Sequence, residues 1–81
     1  MRKSLLDGVA SAVRHFRKEK FLSQEELANK SMLDRTYISG VERGVRNITI
    51  DSLEQIIKAL NITSSEFFCF ATKDFNDDLH N

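Results

Sequence analysis

An all-α domain of five short helices is the fold class that this 81-residue chain predicts, on three observations. It holds no proline and only three glycines, and it has no alternating apolar–polar run long enough for a strand. Apolar residues recur at spacings of three and four through most of its length. Four stretches also repeat one device: a capping residue with an apolar residue just before it and another five positions after that, the hydrophobic staple of a helix start.

The first helix is predicted from Ser4, which with Asp7 makes a capping box. It carries the stripe Leu6, Val9, Val13 and Phe16 and ends near Lys20. Arg17 lies one turn beyond Val13, at the edge of that stripe, where a charge needs a partner. The second helix starts at Ser23 and Glu26, a capping box with Leu22 and Leu27 as staple, and runs from about Gln24 to Lys30 with Leu27, Ala28 and Ser31 on one face. After the break Ser31-Met32-Leu33, Asp34 is the next cap, with Leu33 and Ile38 as staple. The third helix turns Ile38, Val41 and Glu42 inward and ends at Gly44, a C′ glycine. Glu42 is therefore the expected partner of Arg17, in an ion pair whose role is orientation more than net stability. Thr49 caps the fourth helix, with Ile48 and Leu53 as staple, Asp51 at its positive end, and Leu53, Ile56, Ile57 and Leu60 buried. Thr63 and Glu66 cap the fifth, with Ile62 and Phe67 as staple.

Helices two and three, joined by a tight turn, form a helix-turn-helix. With Ile38, Val41 and Glu42 inward, a period of 100° per residue sends Thr36, Ser39, Gly40 and Arg43 outward, with Arg35 at the edge of the first turn. Hydroxyls and arginines there can donate to base edges and phosphates. Gly40 costs about 1 kcal/mol of helix propensity against alanine. Close approach to a groove and close packing on a neighbouring helix explain it equally well.

Net charge is zero, yet residues 1–46 hold ten Lys/Arg against six Asp/Glu, a net of +4, and residues 47–81 carry −4. The helix-turn-helix half is the basic half, as one DNA-facing side requires. Helix five is apolar round much of its circumference. Phe68, Phe70, Ala71 and Phe75 are expected to form a subunit interface, the alternative being that the small domain wraps them. The single cysteine, Cys69, sits in an aromatic run and is expected to be a buried, inert thiol. One domain is expected over residues 1–72, with a polar, frayed tail over 73–81. His15 is expected to face solvent and is no metal site. No cofactor, catalytic constellation, membrane span or signal segment is expected, and the location expected is cytoplasmic.

The stretch from Phe16 to Phe68 resembles the phage-repressor-like (XRE-type) helix-turn-helix family. The residues that carry the likeness are Arg17, the run Leu22–Ala28, the run Ile38–Gly44 and the run Ile62–Phe68. Within that family, LDRTYISGVERGVRNITIDSLEQIIKAL looks like the controller proteins of bacterial restriction–modification systems. The resemblance implies a lambda-repressor-like, five-helix domain that binds double-stranded operator DNA as a symmetric homodimer. It implies helix three in the major groove, and regulation of its own promoter and that of the endonuclease gene, with RNA polymerase as a further partner. By position, it implies that Gln24 clamps a phosphate and that Arg35, Thr36 and Ser39 read bases. Tyr37 would touch backbone or a nearby base, and Arg43, Arg46, Asn47 and Ser52 would hold the sugar–phosphate chain. Arg17 and Glu42 pair in the family too. Met32 departs from the Gly or Asn that often fills this turn, at a strain of about 1 kcal/mol if its φ is positive. The rival reading is an antitoxin that binds both a toxin and its operator.

Overall fold

The computed structural model describes residues 4–75, and the tail expected from residue 73 lies mostly outside them. Five helices follow in order: α1 Leu5–Glu19, α2 Gln24–Ser31, α3 Arg35–Glu42, α4 Ile50–Leu60 and α5 Ser64–Ala71. Among the described residues, no helix is long and apolar enough to cross a membrane.

The helix starts follow the capping pattern. Ser23 and Glu26 exchange both bonds of a capping box, and so do Thr63 and Glu66. Hydrogen bonding from the Ser23 and Thr63 backbone N–H groups, then from their hydroxyls, holds the Glu26 and Glu66 carboxyls below their ordinary pKa. Ser4 accepts from the Asp7 amide without the reciprocal bond, and Thr49 accepts from Ser52. Asp34 stands at the N-cap of α3, but its side chain makes no capping bond.

The helix ends carry a pattern the sequence reading found in only two of three places. α1, α2 and α3 each close in a Schellman motif, with a left-handed residue at Phe21 (φ 58°), Met32 (φ 61°) and Gly44 (φ 71°). The 6→1 bonds are Leu22 N to Arg17 O (3.1 Å), Leu33 N to Ala28 O (2.9 Å) and Val45 N to Gly40 O (3.2 Å). Met32 therefore does carry the strain its turn implies, and Phe21 carries the same. Phe21 is 93% exposed, so its ring gains no burial in return. Phe21→Gly is expected to raise stability by about 0.5–1 kcal/mol, the relief of left-handed strain less the glycine's entropy. Thermal unfolding followed by circular dichroism checks this, and a lower Tm would mean that the ring holds something in place.

Burial follows from the helical stripes. Val9 and Val13 of α1, Leu27 and Ala28 of α2, Ile38 and Val41 of α3, the α4 stripe and Phe67 of α5 form one core. Ser31 is buried among them because its hydroxyl donates to Leu27 O at 2.7 Å. Only a glycine lets α1 lie on α5: a Cβ on Gly8 would fall 1.9 Å from the Ala71 carbonyl oxygen.

That approach corrects the reading of α5. Ala71 is 2% exposed beneath Gly8 and offers no surface to a second copy. Phe70 turns to α1, where the His15 ring stacks on it at 4.1 Å and 14°, and Lys73 Nζ lies 4.1 Å from its centroid. His15 is thus half-buried against an aromatic ring and not simply facing water. Phe75 is half-buried beside Gly8, Ser11 and Phe70. Of the four expected interface residues Phe68 alone is exposed, whereas Phe70, Ala71 and Phe75 are wholly or partly covered by their own domain. Cys69, two residues from both Phe67 and Ala71, is on the opposite side and exposed, so it is not the buried thiol expected.

Candidate nucleic-acid interface

The third helix is held by its inward face. Glu42 is 2% exposed, and its Oε2 accepts from Arg17 Nε at 2.6 Å while Oε1 accepts from Arg17 Nη2 at 3.0 Å. This is the expected ion pair, in bidentate form. Two further donors close the network. Gln24 Nε2 donates to Glu42 Oε1 at 3.1 Å, and Arg17 Nη1 donates to Leu22 O at 2.8 Å. α1, the α1–α2 turn, α2 and α3 are thereby fixed to one carboxylate. Arg14 adds a clamp the sequence reading missed, its Nη1 donating to the Glu42 carbonyl at the end of α3. The signal was available: Arg14 precedes Arg17 by three residues and so shares its side of α1.

Gln24 is consequently half-buried and already engaged. Its amide has a second hydrogen, which leaves one donor for a phosphate at the start of α2. The clamp role and the link to Glu42 are compatible, and one side chain can bridge the two.

Outward, α3 presents Arg35, Thr36 and Arg43 exposed and Ser39 half-buried. Arg43 lies back along its own helix, Nε donating to Ser39 O at 3.4 Å. Asp34 is exposed beside Arg35, its carboxylate taking part in no hydrogen bond or ion pair among the described residues. In the loop after α3, Arg46 and Asn47 are exposed, and Arg46 Cζ lies 4.9 Å from the centroid of the Tyr37 ring. Ser52 is half-buried in the first turn of α4, its amide donating to Thr49 Oγ1 and its hydroxyl making no hydrogen bond among the described residues. The arrangement gathers Arg35, Thr36, Ser39, Arg43 and Arg46 on one side.

Two residues sit otherwise than expected. Tyr37 Oη is enclosed and has no hydrogen-bond partner among the described residues, so the phenol does not stand out toward a base in this conformation. Gly40 is buried, yet the atoms nearest to it belong to no neighbouring helix: they are Arg46 side-chain atoms, at 3.3 to 3.8 Å from where a Cβ would be.

On the far side, Ile50 (78% exposed), Leu5 (45%) and Phe68 (37%) rim two adjoining, mainly apolar hollows, one between α4 and α5 and one toward the start of α1, which share Ile50, Leu53 and Phe68. Leu53 lines both, and Ile57 the one between α4 and α5. The sequence reading found Phe68 and missed Ile50, although Ile50, Leu53 and Ile57 follow one helical stripe.

The helix-turn-helix family model matches residues 13–67. The chain is 46% identical over 63 residues to Control protein C.MunI of Mycoplasma sp, covering 76% of this chain and 85% of that one. It is 47% identical over 51 residues to Control protein C.BamHI of Bacillus amyloliquefaciens, and the match spans 63% of each chain, just under two thirds of that relative's length. The crystal structure of the wild-type restriction–modification controller protein C.Esp1396I superimposes with a TM-score of 0.83 at 48% identity, covering 90% of this chain and 96% of the other. The same controller has been solved as a tetramer in complex with its natural 35 base-pair operator.

Proposed function

The chain belongs to the helix-turn-helix family and, within it, to the controller proteins of restriction–modification systems, and we propose that it binds operator DNA as a homodimer to regulate transcription. The carrying observation is the two-sidedness of α3. Its inner face is pinned through Glu42, while its outer face offers Arg35, Thr36, Ser39 and Arg43 to a groove. Arg35, Thr36 and Ser39 read base edges; Gln24, Arg43, Arg46, Asn47 and Ser52 hold the sugar–phosphate chain; Tyr37 touches the backbone or a nearby base once its enclosed phenol is released. The targets are its own promoter and that of the endonuclease gene, in the cytoplasm. The named relatives are controllers, which favours this reading over an antitoxin.

The occupant of the two apolar hollows is a second copy of the chain. Support comes from the relative that assembles on its operator and from the contiguity of Leu5, Ile50, Leu53, Ile57 and Phe68. RNA polymerase belongs to the same reading as a further partner.

Binding-site selection on Arg35→Ala tests the base-reading role. The substitution is expected to cost about 1–3 kcal/mol and to relax preference at one position of the half-site. A uniform loss over all sequences would assign Arg35 to the phosphates instead.

A further inference from the structure

The contact at Gly40 answers a question that composition alone leaves open. Glycine inside a short helix is unfavourable, so its presence in α3 needs a cause. No neighbouring helix supplies one, because the three atoms nearest the missing Cβ are Arg46 Cβ at 3.3 Å, Nε at 3.4 Å and Cδ at 3.8 Å. The duplex does not meet this backbone directly either while that side chain covers it. Beyond Gly40 the arginine continues to Tyr37, which lies one turn earlier on the same strip of α3, and places its Cζ 4.9 Å from the ring centroid. The Tyr37 hydroxyl is enclosed and has no hydrogen-bond partner among the described residues, so packing and the arginine above it hold the phenol down.

We propose that Gly40 is a positioning residue: the absence of its side chain lets Arg46 fold back from the loop onto Tyr37, so that the guanidinium already lies along the DNA-facing strip of α3 before a duplex arrives. This rests on the DNA-binding reading above and adds the reason for the glycine. An arginine placed beforehand loses less side-chain freedom on binding than one recruited from solvent. A methyl group at residue 40 would stand 3.3 Å from Arg46 Cβ, tighter than ordinary van der Waals contact, and 3.4 Å from its Nε. The arginine must then shift by a few tenths of an ångström, and its seat on the Tyr37 ring is loosened.

The test is a double-mutant cycle of Gly40→Ala and Arg46→Ala. The chain has one tyrosine and no tryptophan, so its fluorescence and near-ultraviolet circular dichroism between 270 and about 290 nm report chiefly on Tyr37. In the free protein, Gly40→Ala is expected to change the Tyr37 signal, and to change nothing once Arg46 is alanine. Helical content stays and Tm does not fall, because alanine is the better helix former. On a duplex carrying the DNA upstream of the chain's own gene, Gly40→Ala is expected to weaken binding about two- to tenfold in the Arg46 background, and not in the Arg46→Ala background. An equal loss in both backgrounds overturns the proposal and gives the glycine to direct contact with DNA. An unchanged Tyr37 signal overturns it as well. If the wild-type chain does not bind the duplex at all, the DNA reading fails and the proposal with it, whereas additive losses in a chain that binds remove the Gly40 role alone.

Discussion

Glu42→Ala is expected to destabilise the domain by about 3–5 kcal/mol, because it leaves the Arg17 guanidinium partly buried without its partner. The side chains of Arg17 and Glu42 are 12% and 2% exposed, and Glu42 receives three hydrogen bonds from Arg17 and Gln24. A domain of this size has little more stability than that to lose. Urea unfolding should show the midpoint falling steeply while the unfolding slope stays the same. A loss under about 1 kcal/mol would place the pair among surface ion pairs, which contribute little. The pair's orienting role can be separated from its contribution to stability. Replacing both residues by methionine removes the charges together, and such exchanges are often neutral or stabilising. The double variant is expected to recover much of the stability but not the DNA affinity, since α3 then lacks the bidentate contact that fixes its rotation. Full recovery of both would deny the pair an orienting role.

Ile50→Glu is expected to abolish pairing of the chain at micromolar concentration. Ile50 is 78% exposed in the single chain, so the change removes almost no burial within it. In a symmetric pair it brings a carboxylate, and its two-fold copy, into an apolar hollow shared with Leu53, Ile57 and Phe68. Desolvating that charge costs several kcal/mol, and even about 3 kcal/mol weakens association roughly a hundredfold. Sedimentation equilibrium reads the outcome: wild type as dimer, variant as monomer. The same substitution should cost operator affinity far more than Phe70→Leu, because Phe70 is held within the chain by His15 and Phe16. A variant that still pairs would move the interface elsewhere.

Much of this was legible because local and long-range signals coincided. Each helix start carried its capping residue, four with staple pairs, and the inward face of α3 followed from Ile38, Val41 and Glu42 alone. A charge on the edge of the α1 stripe with a carboxylate on the inner face of α3 was enough to pair Arg17 with Glu42 across 25 residues. What failed had a common cause. Periodicity says which residues share a face, and nothing in it says which neighbour covers that face. α5 looked too apolar to be satisfied by its own domain, until Gly8 let α1 come close enough to cover Ala71 and Phe70. The second partner of Gln24, Glu42, was out of reach of the sequence, because that bond depends on the crossing of α2 and α3. Phe21 escaped notice since a Schellman ending normally announces itself with glycine or asparagine. Cys69 is a different case: the 100° rule already put it opposite Phe67, and the aromatic company obscured that.

The central claim is that the outer face of α3 enters a DNA groove, twice, in a symmetric pair. Hydroxyl-radical footprinting of the wild-type chain on the DNA upstream of its own gene addresses it most directly. The account predicts two protected patches related by a two-fold axis, with centres about 34 Å apart, one turn of the double helix. Protection of one patch only, or of patches without that spacing and symmetry, would contradict it.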